Sequence, residues 1–337
     1  MTTPSASIRR AMTHRMQRRS FLMASLCGGA TLAGLGSQAA AQALSSSQAI
    51  KIVVPFGPGG LGDITTRLVA ERLAEKIGRQ VVVENKPGAG GVVAATYALS
   101  APPQTPTFIL FSNGTTISKS LIKLPFDPQA DFLPVTTMAY FDLNILTKAD
   151  GPLTTLGALL KAGKERQLTL GTINPGSTQH LSAELFKSVS GLNAVTVPFK
   201  TSGDVQLAIQ RGDVDAGFES YAAARGSING GKLIAVATTG PKRTPWLPQV
   251  PTTQEAGLPD YEVTGWNAIY APRGISEEVI ALVGNAVRAV IADAKLSERM
   301  LQLGVVPGTC TPDDMAKLFE RDRRKWQDVI RKANIKV

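Results

Sequence analysis

The chain is poor in the side chains that metal and redox chemistry most often uses: 337 residues carry two cysteines and two histidines. Cys27 and His14 lie within the first 43 residues. With that segment removed, Cys310 and His180 each stand alone, which excludes an internal disulfide and a cysteine-based metal site. His180 has no second histidine or cysteine as a metal partner, and its place just inside a helix points to capping or packing. No metal and no cofactor is expected. Charge is also sparse, at 18% of residues against 43% apolar, the balance of a globular chain and not a disordered one. Long apolar runs are missing too. The best candidate, Phe21 to Leu35, is a glycine-broken stretch well short of the ~20 residues a spanning helix needs. There is no internal repeat. The one basic cluster, Arg321, Arg323, Arg324 and Lys325, is interleaved with acids and not with aromatics. It reads as a solvated helix face, so no nucleic-acid partner is expected.

What is present is an excess of positive charge with an uneven location. The net charge is +10, from 36 basic and 26 acidic residues, but residues 1–43 hold five arginines and no acid. Without them the balance is 31 basic against 26 acidic residues. Arg18-Arg19-Ser20-Phe21-Leu22 resembles a twin-arginine signal core, with Gln17 where Ser or Thr is usual. A weakly apolar stretch follows, and then the small-residue box Ala41-Gln42-Ala43. This is the order of an export signal, so residues 1–43 are expected to be a signal peptide of the twin-arginine (Tat) type cleaved near Ala43. The mature protein is expected to be periplasmic.

Beyond Ala43 the length suits two ordinary domains. Ile50 to Phe56 reads as a buried strand. A helix follows, opened by Asp63, with Ile64, Leu68, Leu73 and Ile77 on one face and Gly78 closing it. Strands are expected at 81–83 and 107–111, with a helix opening at Gly90-Gly91 between them. The pattern restarts near residue 154: helix 154–163, strand 168–170, a polar loop 171–178, helix 178–190, strand 194–198, helix 202–211, and strands at 214–218 and 232–238. Helices near 276–292 and 312–333 end the chain. Strand–loop–helix alternation of this kind predicts an α/β fold of parallel sheets flanked by helices. The Pro/Gly-rich stretch 240–260 reads as an irregular connection.

In open α/β sheets, ligands sit at the carboxyl ends of strands. The glycine-rich polar loops 57–63, 112–116 and 171–178 fall there, two in the first half and one in the second. A cleft between two units, lined by main-chain N–H groups and hydroxyls, is the expected site. The segment Gly57-Pro58-Gly59-Gly60-Leu61-Gly62 matches a dinucleotide fingerprint, and Glu84 stands where a ribose-binding acid belongs. Pro58 stiffens the turn that must bend around a pyrophosphate, and an exported protein meets little dinucleotide. The surviving physics is a helix N-terminus that favours a small anion.

Several segments carry a resemblance. They include Ile52-Val53-Val54-Pro55-Phe56 with Pro58-Gly59-Gly60 and Asp63; Val83-Glu84-Asn85-Lys86-Pro87-Gly88-Ala89-Gly90-Gly91; and Leu124-Pro125-Phe126-Asp127-Pro128. Gly176-Ser177-Thr178 with His180-Leu181, Val197-Pro198-Phe199-Lys200, and Glu255-Ala256-Gly257-Leu258-Pro259 continue it. In order and spacing the chain, from about 48 to 335, resembles the periplasmic solute-binding proteins of tripartite tricarboxylate transporters, also called Bordetella uptake gene proteins. The resemblance implies a two-lobed periplasmic binding protein of type II-like architecture, each lobe a sheet flanked by helices, closing like a Venus flytrap. Lobe 1 would be 44–146 plus 268–337, and lobe 2 147–267. It implies a non-enzymatic binder of a small organic carboxylate (a di- or tricarboxylate, an aromatic acid or an amino acid). That ligand would be delivered by a monomer to a membrane permease, or presented to a sensor kinase ectodomain.

The site residues implied are Phe56, Gly59, Gly60, Gly62 and Asp63 from the first loop and Thr172, Asn174, Gly176, Ser177 and Thr178 from the second. Ser112, Asn113 and Thr115 would line the opposite side. Three departures from the family pattern add to these. Leu61 replaces a glycine and places an apolar side chain at the mouth, Pro175 replaces a polar or glycine position, and Glu219 stands where Asp is frequent. An acid facing a carboxylate repels it, so Glu219 is expected to accept from an amine or hydroxyl on the far end of the ligand.

Overall fold

A computed structural model describes residues 49–102, 105–116, 118 and 123–333; the proposed signal peptide lies outside these. Two sheets organise the chain. The first is built on β1 (Ile50–Val54), whose interior position is dictated by a run of apolar residues with almost no exposed surface. It pairs in parallel with β2 (Val81–Asn85) and β3 (Thr107–Ser112). The connections run through α1 (Leu61–Ile77), closed by left-handed Gly78, and α2 (Val92–Leu99). β4 (Phe132–Asp142) and β10 (Thr264–Pro272) then add antiparallel strands, with the short β11 (Val306–Pro307) at the edge, giving the order β11-β4-β10-β3-β1-β2.

The second sheet runs β7-β6-β8-β5-β9. Here β6 (Leu168–Ile173) pairs in parallel with β7 (Ala194–Phe199) and β8 (Ala216–Glu219). β5 (Asn144–Lys148) lies antiparallel between β8 and β9 (Leu233–Thr238). α3 (Leu156–Glu165), α4 (Thr178–Ser190), α5 (Ser202–Arg211) and α6 (Tyr221–Asn229) belong to this half. α7 (Glu277–Ile291), α8 (Ala294–Gln302) and α9 (Pro312–Ala333) return to the first.

The α/β architecture of two sheets flanked by helices agrees with the sequence reading. The all-parallel sheets do not: each sheet is mixed, because β4, β5 and β10 enter antiparallel. Sheet membership changes at Leu143, between β4 and β5, and again before Thr264. The boundaries expected at 146/147 and 267/268 therefore fall inside β5 and β10. Thr239 ties the two crossings together. Its hydroxyl accepts from the Leu143 N–H (2.9 Å) and donates to the Val263 carbonyl (2.6 Å), while its own N–H donates to the Leu143 carbonyl (2.9 Å). Trp266 lies in β10, and its indole N–H donates to buried Asp322 of α9 at 2.7 Å, so it packs away from the cleft loops.

Candidate functional site

The carboxyl ends of β1, β6 and β7 feed directly into α1, α4 and α5, and the three helix starts meet between the sheets. The first loop is held from behind. Asp63 Oδ2 accepts from the Gly59 N–H (2.9 Å), and its Oδ1 accepts from Arg67 Nε (2.8 Å) and Asn85 Nδ2 (2.9 Å). Asn85 Nδ2 also donates to the Phe56 carbonyl at 3.0 Å. Gly59 takes a left-handed φ of 76°, which a side chain would strain. Gly60 caps α1 without any side-chain acceptor, leaving the first N–H groups of that helix free toward the cleft. α4 is capped by Ser177, whose Oγ accepts from the His180 N–H, and α5 by a reciprocal Thr201–Asp204 capping box.

These starts wall two adjoining chambers of about 390 Å³ each, mouths included. The first is lined by Phe56, Gly60, Leu61, Gly62, Ser112 and Thr178 among the expected residues, with Gln179, Lys200, Thr201, Ser202 and Asn267 in addition. The second is lined by Phe56, Ser112, Thr115, Asn174, Pro175, Gly176 and Ser177, with Phe111, Phe126 and Ser118. Phe56 and Ser112 are common to both and form the waist. Among the described residues, Lys200 is the one charged residue lining these walls.

Three buried polar atoms on the first chamber's wall have no hydrogen-bond partner: Ser112 Oγ, Ser202 Oγ and Asn267 Nδ2. Buried groups of this kind are costly to leave unpaired, so their clustering on one cavity marks where a ligand or water completes them. The two halves also press together on glycines. A Cβ on Gly57 would stand 2.7 Å from Thr201 Cγ2, one on Gly60 3.2 Å from Ser202 Oγ, and one on Gly114 would run into the Gly176 carbonyl oxygen. Thr178 Oγ1 donates to Asn113 Oδ1 at 2.7 Å across the same seam.

Five expected residues stand outside both walls. Gly59 shapes the turn and Asp63 staples it. Asn113 bridges the halves through its Oδ1, which accepts from Thr178, while its amide donates to the Thr264 carbonyl of the first sheet at 3.3 Å. Thr172 is fully buried in β6, and its hydroxyl has no partner. Glu219, the last residue of β8, is fully buried behind Gln179 and Ser202. Sequence reasoning missed Gln179, Lys200, Thr201, Ser202 and Asn267 as lining residues. Lys200 to Ser202 follow β7 as the other two loops follow their strands, so the strand-end rule would have found them; Asn267, a lone amide in an apolar strand, carried no such signal.

Dinucleotide binding finds no support in the geometry. Gly57 faces Thr201 across the seam, where a pyrophosphate would have to pass. Glu84, the would-be ribose acid, pairs with Lys51 at 2.8 Å, and that bond holds its carboxyl below the usual range. His180 is buried, its Nδ1 is unpartnered, and burial pushes its pKa down, so it stays neutral near pH 7. Among the described residues no group of three His, Cys, Asp or Glu side chains is placed to hold a metal ion, and no helix is long and apolar enough to cross a membrane.

The family model described as "Tripartite tricarboxylate transporter family receptor" matches residues 65–335. The chain belongs to this receptor family. The receptor is 31% identical over 308 residues to the "UPF0065 protein in tcbD-tcbE intergenic region" of Pseudomonas sp. (strain P51), covering 90% of this chain and 92% of that one. Its fold is similar to that of Rpa4515 of R. palustris, solved with adipate, with a TM-score of 0.83 and 31% identity over 87% of this chain and 99% of that one. MatC (Rpa3494) of Rhodopseudomonas palustris, solved with bound malate, gives a TM-score of 0.79 and 29% identity over 84% and 99% of the two chains.

Proposed function

We propose that this receptor binds one small organic carboxylate in the cleft between its two sheets and delivers it, as a periplasmic monomer, to a membrane permease of the tripartite tricarboxylate type. The single observation that carries this reading is the cluster of unpartnered Ser112, Ser202 and Asn267 atoms on a wall whose one charged residue, among those described, is Lys200. Three helix N-termini of 17, 13 and 10 residues add partial positive charge at the same place. Hydrogen bonds to an ionised acceptor contribute about 1.5–3 kcal/mol each. Three or four of them supply about 4.5–12 kcal/mol before association costs, the scale of the roughly 8 kcal/mol of a micromolar complex, with the helix N-termini and apolar contact adding to it. Two relatives in structure hold adipate and malate, acids of the class these donors fit.

The seam of glycines supports closure of the two halves over the ligand, with Leu143 and the 239–263 connection as hinges. Among the described residues the walls hold donors and no nucleophile–base pair, which favours binding without turnover. Residues 1–43 act as a twin-arginine export signal cleaved near Ala43. The test is native mass spectrometry of the protein purified from its own periplasm. One small organic acid retained per chain is expected; a retained nucleotide, or no acid retained and none bound from a carboxylate panel, overturns the reading.

A further inference from the structure

Directly behind the first chamber lies an acid with nothing to balance it. Glu219 ends β8, is fully buried, and neither of its carboxylate oxygens has a hydrogen-bond partner of normal geometry. Its neighbour across the β5–β8 pair, Asn144, turns its amide to the Glu219 backbone carbonyl at 3.5 Å and not to the carboxyl. The two side chains that do approach the carboxyl, Ser202 and Gln179, are walls of the first chamber. Ser202 Oγ is itself unpartnered and faces Gly60 across the cleft. A continuous path of polar atoms thus runs from Glu219 through Ser202 to the place where an anion would sit.

The surroundings offer no counter-charge. From α4 come Gln179 and neutral His180; farther along that helix Glu184 and Lys187 pair with each other at 2.9 Å. The β7–α5 segment brings Lys200, Ser202 and Asp204, the last held in the capping box with Thr201. β6 brings Thr172, and α6 begins with the Ser220 N–H. At the far end of β8, Asp215 is held by Arg166 and Thr169. Among the described residues none of the charged groups acts on the Glu219 carboxyl. Burial dominates and pushes it up to about 7, with Ser202, Gln179 and the Ser220 N–H offsetting only part of that rise.

An ionised Glu219 and an ionised ligand on either side of Ser202 would repel through a water-poor wall. We propose that Glu219 is a proton-binding site coupled to the ligand cleft: it is neutral whenever an anion occupies the first chamber, and binding an anion above neutral pH draws one proton from solvent onto its carboxylate. The neutral carboxyl then donates its O–H to Ser202 Oγ, which turns the Ser202 hydroxyl proton toward the ligand. Glu219 is in this sense a positioning residue that favours anions over neutral solutes. The proposal rests on the carboxylate reading of the cleft.

The experiment compares the wild-type protein with Glu219→Gln, which keeps a donor and cannot ionise. The first arm is a series of thermal melts without ligand. An acid whose folded pKa is raised keeps its proton where the unfolded chain, near 4.5, has released it. Wild-type stability relative to the variant therefore falls as pH rises from about 5 to 8 and levels beyond. The second arm is calorimetry with adipate and with malate, in buffers of different ionisation heat. Both acids are fully ionised above pH 7, so any proton taken up belongs to the protein. Wild-type protein should take up close to one proton per ligand at pH 8, with affinity falling by up to roughly tenfold per pH unit above neutral. The variant should take up none in this range and lose the slope. Wild-type binding that is independent of pH between 7 and 9, or a variant with the wild-type slope, overturns the proposal. If neither acid, nor any other member of the carboxylate panel, gives heat at any pH, the carboxylate reading falls and the linkage with it. A failure confined to Glu219 looks different, with binding present and flat in pH and the two melting series parallel.

Discussion

Replacing Gly114 with alanine puts one methyl group where the loop after β3 meets the loop before α4. The added Cβ would overlap the Gly176 carbonyl oxygen and stand 3.1 Å from both the carbonyl carbon and the Cα of Ser177. All three are main-chain atoms, so no side chain can swing aside. Restoring ordinary contact forces the two loops apart by roughly 1 Å, since carbon contacts relax near 3.5 Å or beyond. That displacement stretches the 2.7 Å Thr178–Asn113 hydrogen bond and opens the waist at Ser112. Overpacking of this size costs about 1–3 kcal/mol. The cost falls on the arrangement in which the halves touch, so ligand affinity should drop by about 5- to 150-fold. Gly114 does not adopt a left-handed φ, so alanine fits its backbone, and the melting temperature without ligand should hold, with a change within about 1 kcal/mol. Calorimetry with the acid retained from the periplasm measures the first effect, a thermal melt the second, and small-angle scattering with ligand reads the separation of the halves. Wild-type affinity in Gly114→Ala would refute the seam as a closure surface.

Three further perturbations probe other parts of the account. Ser202→Ala removes the hydroxyl that lies between Glu219 and the cleft, so affinity should fall by about 1.5–3 kcal/mol; parallel titrations of the two proteins check this, and a variant with intact affinity contradicts the assignment. Asp63→Ala strips the acceptor from the Gly59 N–H, Arg67 and Asn85, and should cost about 1–3 kcal/mol of stability as read by denaturant unfolding; an unchanged midpoint removes its role as the loop's staple. Asp142 sits at the crossing between the halves, where burial, and secondarily Glu262, raises its carboxyl to about 6. Its folded pKa exceeds the unfolded value, so stability is lost as pH rises from about 4 to 6; Asp142→Asn should therefore gain on the wild-type protein by up to about 3 kcal/mol above pH 6. Parallel stability curves for the two from pH 4 to 8 would contradict the raised value.

The legible part of the site was the part written in short polar loops. Gly57 to Asp63 and Gly171 to Thr178 announce themselves because glycine and hydroxyl residues interrupt apolar strands, and their strand-end position is a local property. The mixed character of the sheets was not legible. β10 is buried along nearly its whole length on both faces and pairs with β3 and β4 from more than 120 residues away, so neither alternation nor a neighbouring turn marks it. β4 carries Pro134 and five consecutive residues, Val135 to Ala139, buried on both sides, a pattern that tertiary packing and not propensity decides. Asn267 could be placed at the cleft only after β10 was placed in the sheet. Glu219 was legible as an acid at a strand end, but its exclusion from the wall depends on Gln179 and Ser202 closing over it from two other elements.

The central claim, that the unpartnered atoms between the sheets receive a carboxylate, is tested most directly by a crystal structure of the receptor grown with the acid it retains from the periplasm. The account predicts carboxylate oxygens within hydrogen-bond distance of Ser112 Oγ, Ser202 Oγ and Asn267 Nδ2, with the main-chain N–H groups opening α1 and α4 turned to the same anion. An acid bound elsewhere, or bound here with all three side chains turned away, would contradict it.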